Sequence, residues 1–392
     1  MVRKTISLLL MPMALFVVSC TGGPTKNKQV VVTNLLDIDR KHETLSVPLA
    51  ELGLESGKTV IIKYADTKKE LVTQTVDSDG DGNFDVILFQ PEIEAGSEVV
   101  FDIFTSDTPS SADSIIRCYS RFVPERTDDY AWENDRVAFR TYGPKAQKMV
   151  EDKVKGGTLT SGIDAWLKRV DYPIINKWYK EELSGEISYH KDTGEGLDNF
   201  HVGASRGVGG IAMKVDSTYY FSKNFTTWKT LYNGPIRTSF ILTYADWDAA
   251  GNLITEEKHI SLDYGSNLSR FEVGLKGTDM ISAGLTLHEK DGVVGFNQEE
   301  GWVSYWEPHE DSELGTAIVV PNKKMMGHEY YETARTDESN LFAHLAVDEG
   351  KVVYYAGFGW KKSGQFETKT AWENYVSLFS KKVNSPMLVE FR

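Results

Sequence analysis

The chain has 392 residues and carries 57 acidic against 43 basic side chains, a net charge of −14. That excess of acid excludes nonspecific binding to nucleic acid, so an anionic partner needs a local cluster of cations. Two cysteines, Cys20 and Cys118, leave no internal disulfide once the first is used elsewhere, and stability must then come from buried apolar surface.

Arg3 and Lys4 precede the apolar stretch Ser7 to Val18, which is too short to span a bilayer. It ends in Val17-Val18-Ser19-Cys20, a pattern that resembles a bacterial lipobox. Residues 1–19 are therefore read as a lipoprotein signal peptide, Cys20 as the lipidation site, and residues 20–28 as a polar tether. Losing Arg3 and Lys4 with the leader takes the charge from −14 to −16. The expectation is a cell-envelope lipoprotein held to the membrane by its N-terminal lipid only, at the outer membrane on its periplasmic or surface side.

From Val30 to Phe104, short β-branched and aromatic runs alternate with turn residues. The pattern predicts a small β-sandwich over residues 29–110. Within it, Asp77, Asp79, Asp81 and Asp85, with Gly82 between the last two, resemble part of a calcium loop. The bidentate glutamate that closes an EF-hand is missing, so the alternatives are a structural Ca²⁺ on a hairpin or an acidic turn without metal. No other cofactor is expected.

Ser106 to Asp113 reads as a linker. Beyond it many strand-like runs continue to Phe391, and helices are few. Glu367 to Ser380 has helical spacing of Trp372, Tyr375, Val376 and Phe379, and Gln147 to Val154 is a shorter second. Residues 111–392 are thus expected to form a large antiparallel β-supersandwich, making the whole chain all-β with few helices.

Five of the thirteen arginines fall between Arg117 and Arg140. On one strand Arg136 and Arg140 would share a face, as ligands for a carboxylate or sulfate. Trp132 and Tyr142 are candidate stacking surfaces for sugar rings. The competing reading is an ion-pair network with Glu133 and Asp135. Farther on, Asp164 and Lys168 are candidate polar cleft residues, Trp166 and Trp178 candidate platforms, and Arg237 begins a strand near the expected cleft.

Tyr189 to Gly210 reads YHKDTGEGLDNFHVGASRGVGG. A core strand would need alternating apolar side chains, and buried polar groups need partners, so this run is expected to line a cleft. Tyr189, His190 and His201 are the candidate proton-transfer groups, oriented by Asp192, Glu195 or Asp198, with Arg206 as an anion-binding side chain. The spacing of the two histidines fits no specific metal-ligand pattern. Trp306 to His309 and Phe342 to His344 are weaker candidates, read as structural rather than catalytic.

The stretches WENDRVAFRTYGP, SGIDAWLKR, YHKDTGEGLD with VGASRG, and NGPIRT together resemble the family of domain of unknown function 4861, exported proteins of polysaccharide-utilising Bacteroidota. The resemblance covers the mature chain, including the DSDGDGNFD turn. It implies action on uronic-acid oligosaccharides of ulvan or pectin type, while the supersandwich expected from the strand pattern is by fold analogy similar to those of sugar-acting mutarotases and lyases. The implied reaction is dehydration to a 4,5-unsaturated terminal uronate, or the related lyase cleavage. The residues suit such a β-elimination: an arginine to neutralise the carboxylate, a histidine to take the C5 proton, and Tyr189 to protonate the leaving oxygen. Two alternatives stand beside it. One is a glycoside hydrolase pairing Glu133 with Asp198 or Glu195; the other is a non-catalytic glycan-binding lipoprotein. The expected partner is an anionic oligosaccharide, and the oligomeric state is open.

Overall fold

A computed structural model describes residues 25–54, 57–107, 116–335 and 337–392. The leader and Cys20 lie outside the described residues, as does most of the expected linker. The first strand, Thr25–Thr33, begins inside the stretch read as tether and pairs antiparallel with Glu98–Ser106. A four-stranded sheet runs in the order Leu388–Phe391, Thr25–Thr33, Glu98–Ser106, Thr59–Tyr64. The final strand, read from sequence with the later sheets, therefore completes the first one.

A three-stranded sheet of Leu45–Pro48, Val86–Phe89 and Thr73–Val76 accompanies it. Alternation explains the packing. Leu45 and Val47 are buried while Ser46 and Pro48 face water. Val30, Val32, Ile62, Ile87, Phe89, Phe101 and Ile103 fill the core between the layers.

The rest is built on a nine-stranded antiparallel sheet running from Phe225–Tyr232 to Val293–Asn297, with two five-stranded sheets. One of these orders Gly196–Leu197, Asp164–Lys168, Ala138–Thr141, Asp129–Glu133 and Tyr119–Val123. The other orders Thr218–Tyr220, Val208–Val215, Met280–Thr286, Asn340–Ala346 and Met325–Tyr331. One core takes side chains from all three sheets, among them Trp132, Phe139, Ile211, Phe240, Leu262, Phe271, Ala283, Leu341 and Phe358. The protein is all-β in class, as its strand pattern predicts.

Three helices interrupt the strands among the described residues. Lys369–Asn384 starts two residues later than its periodicity suggests, because the Thr368 side chain caps it by accepting from the Ala371 N–H. Pro144–Glu151 starts earlier than Gln147, since proline at the first position presets the backbone. Ile175–Ser184 was not expected. Its first residues carry no local cap, and Glu133 accepts instead from the Ile174 and Ile175 N–H groups. That cap comes from a strand 41 residues upstream, so no local signal marks the helix.

Candidate functional site

Cross-strand register builds one wall of a cleft. Arg140 lies opposite Asp164 on one neighbouring strand and opposite Ala131 on the other. Side chains in that row leave the sheet on the same face, away from the main core. Phe139, Trp132 and Ala165 form the next row and point into the core.

Arg140 is buried and donates through Nε and Nη2 to Asp164 Oδ2 at 3.0 and 2.6 Å, and through Nη2 to Asp198 Oδ2 at 2.9 Å. Asp129 Oδ2 is 3.7 Å away. Three carboxyls thus surround one guanidinium. Burial raises Asp164 and Asp198 above the usual carboxylate range, and their mutual repulsion adds to this at Asp164. Burial also pushes Asp129 up to about 6. Asp164 Oδ1 is buried with no hydrogen-bond partner among the described residues. Arg140 is thus paired with carboxyls whose raised pKa values make the pairing weaken as pH falls.

The cleft has a volume of about 450 Å³ and is lined by Arg140, Tyr142, Gly157–Leu159, His190 and Asp198–Gly203. Of the polar run, His190 and Asp198–Gly203 line this cleft, whereas Leu197 and Val208 sit in the core. Tyr142 Oη donates to Asp164 Oδ2 at 3.2 Å. His190 Nδ1 is 2.7 Å from the Asp198 carbonyl oxygen, and its side chain is 52% exposed. A carbonyl only accepts, so Nδ1 carries the proton and Nε2 presents a lone pair. His201 is exposed, with Nε2 2.9 Å from Asp337 Oδ2.

Several expected site residues sit elsewhere. Tyr189 is buried behind Arg140, its ring packed on Trp166 and its Oη accepting from Arg126 at 3.1 Å and Arg140 at 3.3 Å. Trp132 is a core side chain stacked on Phe139, with Nε1 donating to Ser269, so it is no sugar platform. Trp166 and Trp178 are likewise buried against each other. Lys168 is fully buried, bonded to Glu133 Oε2 at 3.0 Å and to the carbonyls of Asn134 and Tyr172. Arg206 is buried under Phe221 and donates to Ser161, Thr160 and the Ala204 carbonyl. Burial pulls its pKa down to about 10, with Glu256 and Glu338 opposing the shift only in part.

Arg136 precedes the Ala138–Thr141 strand rather than lying on it, so it does not share a face with Arg140. It donates to Asn267 Oδ1 at 2.6 Å. Arg237 pairs with Asp263. Both arginines line a second cleft of about 500 Å³ with His42, Arg270, Tyr355 and Tyr375. In the acidic turn Asp77, Asp79 and Asp81 cluster, but Asp85 turns back to accept from Ser78. The three clustered carboxylates accept backbone N–H groups of their own turn. A second group that could hold a metal is His288, Glu307 and His309. Glu307 and His309 read as structural in the sequence, and no short spacing links His288 to them.

The family model described as Domain of unknown function (DUF4861) matches residues 32–389. A relative described as "Uncharacterized protein P7", from Formosa agariphila, is 55% identical over 378 residues, covering 95% of this chain and 96% of that one. Among solved structures, a protein in glycosyl hydrolase family 38 from Enterococcus faecalis aligns with a TM-score of 0.51 at 10% identity. That alignment covers 93% of this chain and 47% of the other. An α-mannosidase from Enterococcus faecalis V583 aligns at a TM-score of 0.43 and 10% identity, covering 93% and 46%. The chain spans about half the length of these solved structures, and at such identity the first likeness is one of fold.

Proposed function

This chain belongs to the DUF4861 family, and we propose that it is a carbohydrate-active enzyme catalysing β-elimination on a uronic-acid-containing oligosaccharide. The observation that carries the reading is His190, whose Nδ1 is fixed on the Asp198 carbonyl while Nε2 is left as a base beside Arg140 and Tyr142. In the proposed step His190 Nε2 takes the C5 proton. The C5–H electron pair becomes the C4=C5 π bond as the C4–O bond breaks, and the leaving oxygen takes a proton from Tyr142 Oη. Arg140 faces the uronate carboxylate, where charge builds as the proton leaves. Tyr142 thus replaces Tyr189 as the acid, since Tyr189 is not among the cleft-lining residues.

Loss of water makes a dehydratase and loss of a sugar makes a lyase; dehydration of a terminal uronate is the form proposed. A fold shared with a glycosyl hydrolase family 38 protein supports the coarser reading, carbohydrate chemistry. The hydrolase pairs drawn from sequence are not favoured, because Glu133 is tied to Lys168 and a helix start, and Glu195 to Tyr172, Lys177 and Trp178. The envelope placement expected from Cys20 remains part of this proposal. The test is to incubate the protein with saturated uronate-terminated oligosaccharides and follow ultraviolet absorbance of the conjugated double bond. A rise without chain shortening supports dehydration, a rise with shortening supports a lyase, and a flat trace on every uronate tried removes elimination.

A further inference from the structure

Behind the cleft wall, three titratable side chains converge that the proposed reaction does not use. Glu307 and His309 lie two residues apart on the strand Trp302–His309, so both leave the same face of the sheet. His288 comes from the segment after Met280–Thr286. One ligand atom from each of the three lies within 4.8 Å of the others. His288 Nδ1 and Glu307 Oε1 are 2.5 Å apart. Three further atoms, His288 Nε2, Glu307 Oε2 and His309 Nε2, are buried with no hydrogen-bond partner among the described residues. A buried polar atom left unpaired is costly, so three in one cluster call for a common partner.

We propose that His288, Glu307 and His309 bind one divalent transition-metal ion of zinc type. The donor set decides the class. Two imidazoles and one carboxylate suit zinc, whereas calcium and magnesium prefer oxygen ligands throughout. Three protein ligands leave a fourth position for water or another oxygen. Asn199 Oδ1 is also buried without a partner among the described residues, and the Asn199 backbone lies beside His309. The neighbouring Phe200 ring packs edge-on against His288 at 4.6 Å between centroids. Asn199 and Phe200 line the cleft. An ion in this cluster would therefore fix the strand Trp302–His309 to the wall that lies between His190 and His201.

The test uses the full mature protein after chelator treatment, titrated with zinc chloride by calorimetry and assayed for bound metal after gel filtration. The expected result is one zinc per chain and a raised melting temperature, with neither produced by calcium or magnesium at the same concentration. His288→Ala and His309→Ala should each weaken zinc binding by about 100-fold or more. Glu307→Gln, which keeps the side-chain shape, should weaken it while circular dichroism stays native. Asp79→Asn should leave it unchanged. Less than a tenth of an equivalent of zinc on folded wild-type protein overturns the proposal. So does binding that survives all three ligand variants, or binding lost instead in His190→Ala or His201→Ala. The readout is binding and not turnover, so the result stands apart from the elimination reading.

Discussion

Two clefts divide the residues that a sequence reading had put together. The first holds His190, His201, Tyr142 and Arg140, and its wall is rich in acids. The second holds Arg136, Arg237 and Arg270 beside aromatic side chains. Their linings share no residue. Arginine density along a chain therefore says little about where an anion binds. Most of these guanidiniums are already matched: Arg237 by Asp263, Arg270 by Glu272, Arg140 by Asp164 and Asp198. The first cleft is distinguished by a titratable ring held in one tautomer, a feature of proton transfer that the second lacks among its described bonds.

The comparison can be broken at its strongest point. His190→Ala should lower kcat on a saturated uronate oligosaccharide by about 10²–10⁴-fold, the usual worth of a positioned general base. A rate within threefold of wild type would move the chemistry out of the first cleft. Next in size is a stability effect. Lys168→Ala leaves Glu133 as an unpaired buried charge and takes a partner from the cap of helix Ile175–Ser184. It should cost roughly 3–5 kcal/mol in denaturant unfolding. A neutral result would return Lys168 to the substrate-binding candidates.

The acid-rich wall predicts a pH signature. Burial pushes Asp129 up to about 6 in the folded protein, against an ordinary value of 3.8. Between those values the folded state holds the proton longer than the unfolded state does. Stability should therefore fall as pH rises from about 4 to 6, by at most about 3 kcal/mol from this group. Asp129→Asn should remove that part of the slope in unfolding curves measured across the window. An unchanged slope would mean that Arg140 and Arg126 hold Asp129 ionised throughout. The smallest expected effect lies in the second cleft: Arg136→Ala should change kcat/KM by less than about threefold, as for a surface side chain away from the chemistry. A large rise in KM there would make the arginine cleft the anion site.

Particular residues show how far sequence reading reached. Part of the polar, glycine-rich run Tyr189–Gly210 does form cleft wall, His190 and Asp198–Gly203, while its apolar members Leu197, Phe200, Val202 and Val208 join the core. His190 and His201 follow from that. Tyr189 does not: its ring is apolar enough to pack on Trp166, and two arginines satisfy its hydroxyl. Trp132 and Arg140 were weighed together as cleft residues, yet they lie an even number of residues apart across a turn that resets the pleat. One faces the core and the other the cleft. Asp337, the partner of His201, is 136 positions away, and nothing near His201 announces it.

The sequence alone determined the all-β class, the alternation that builds both cores, and the polar run that lines a cleft, since each depends on side-chain period within a few neighbours. Tertiary structure decided which face of each strand meets another sheet, which arginines are neutralised, and that His288 comes to lie against Glu307 and His309. Those outcomes rest on contacts between strands far apart in the chain, where a partner's charge and the depth of burial are fixed only once the sheets have stacked.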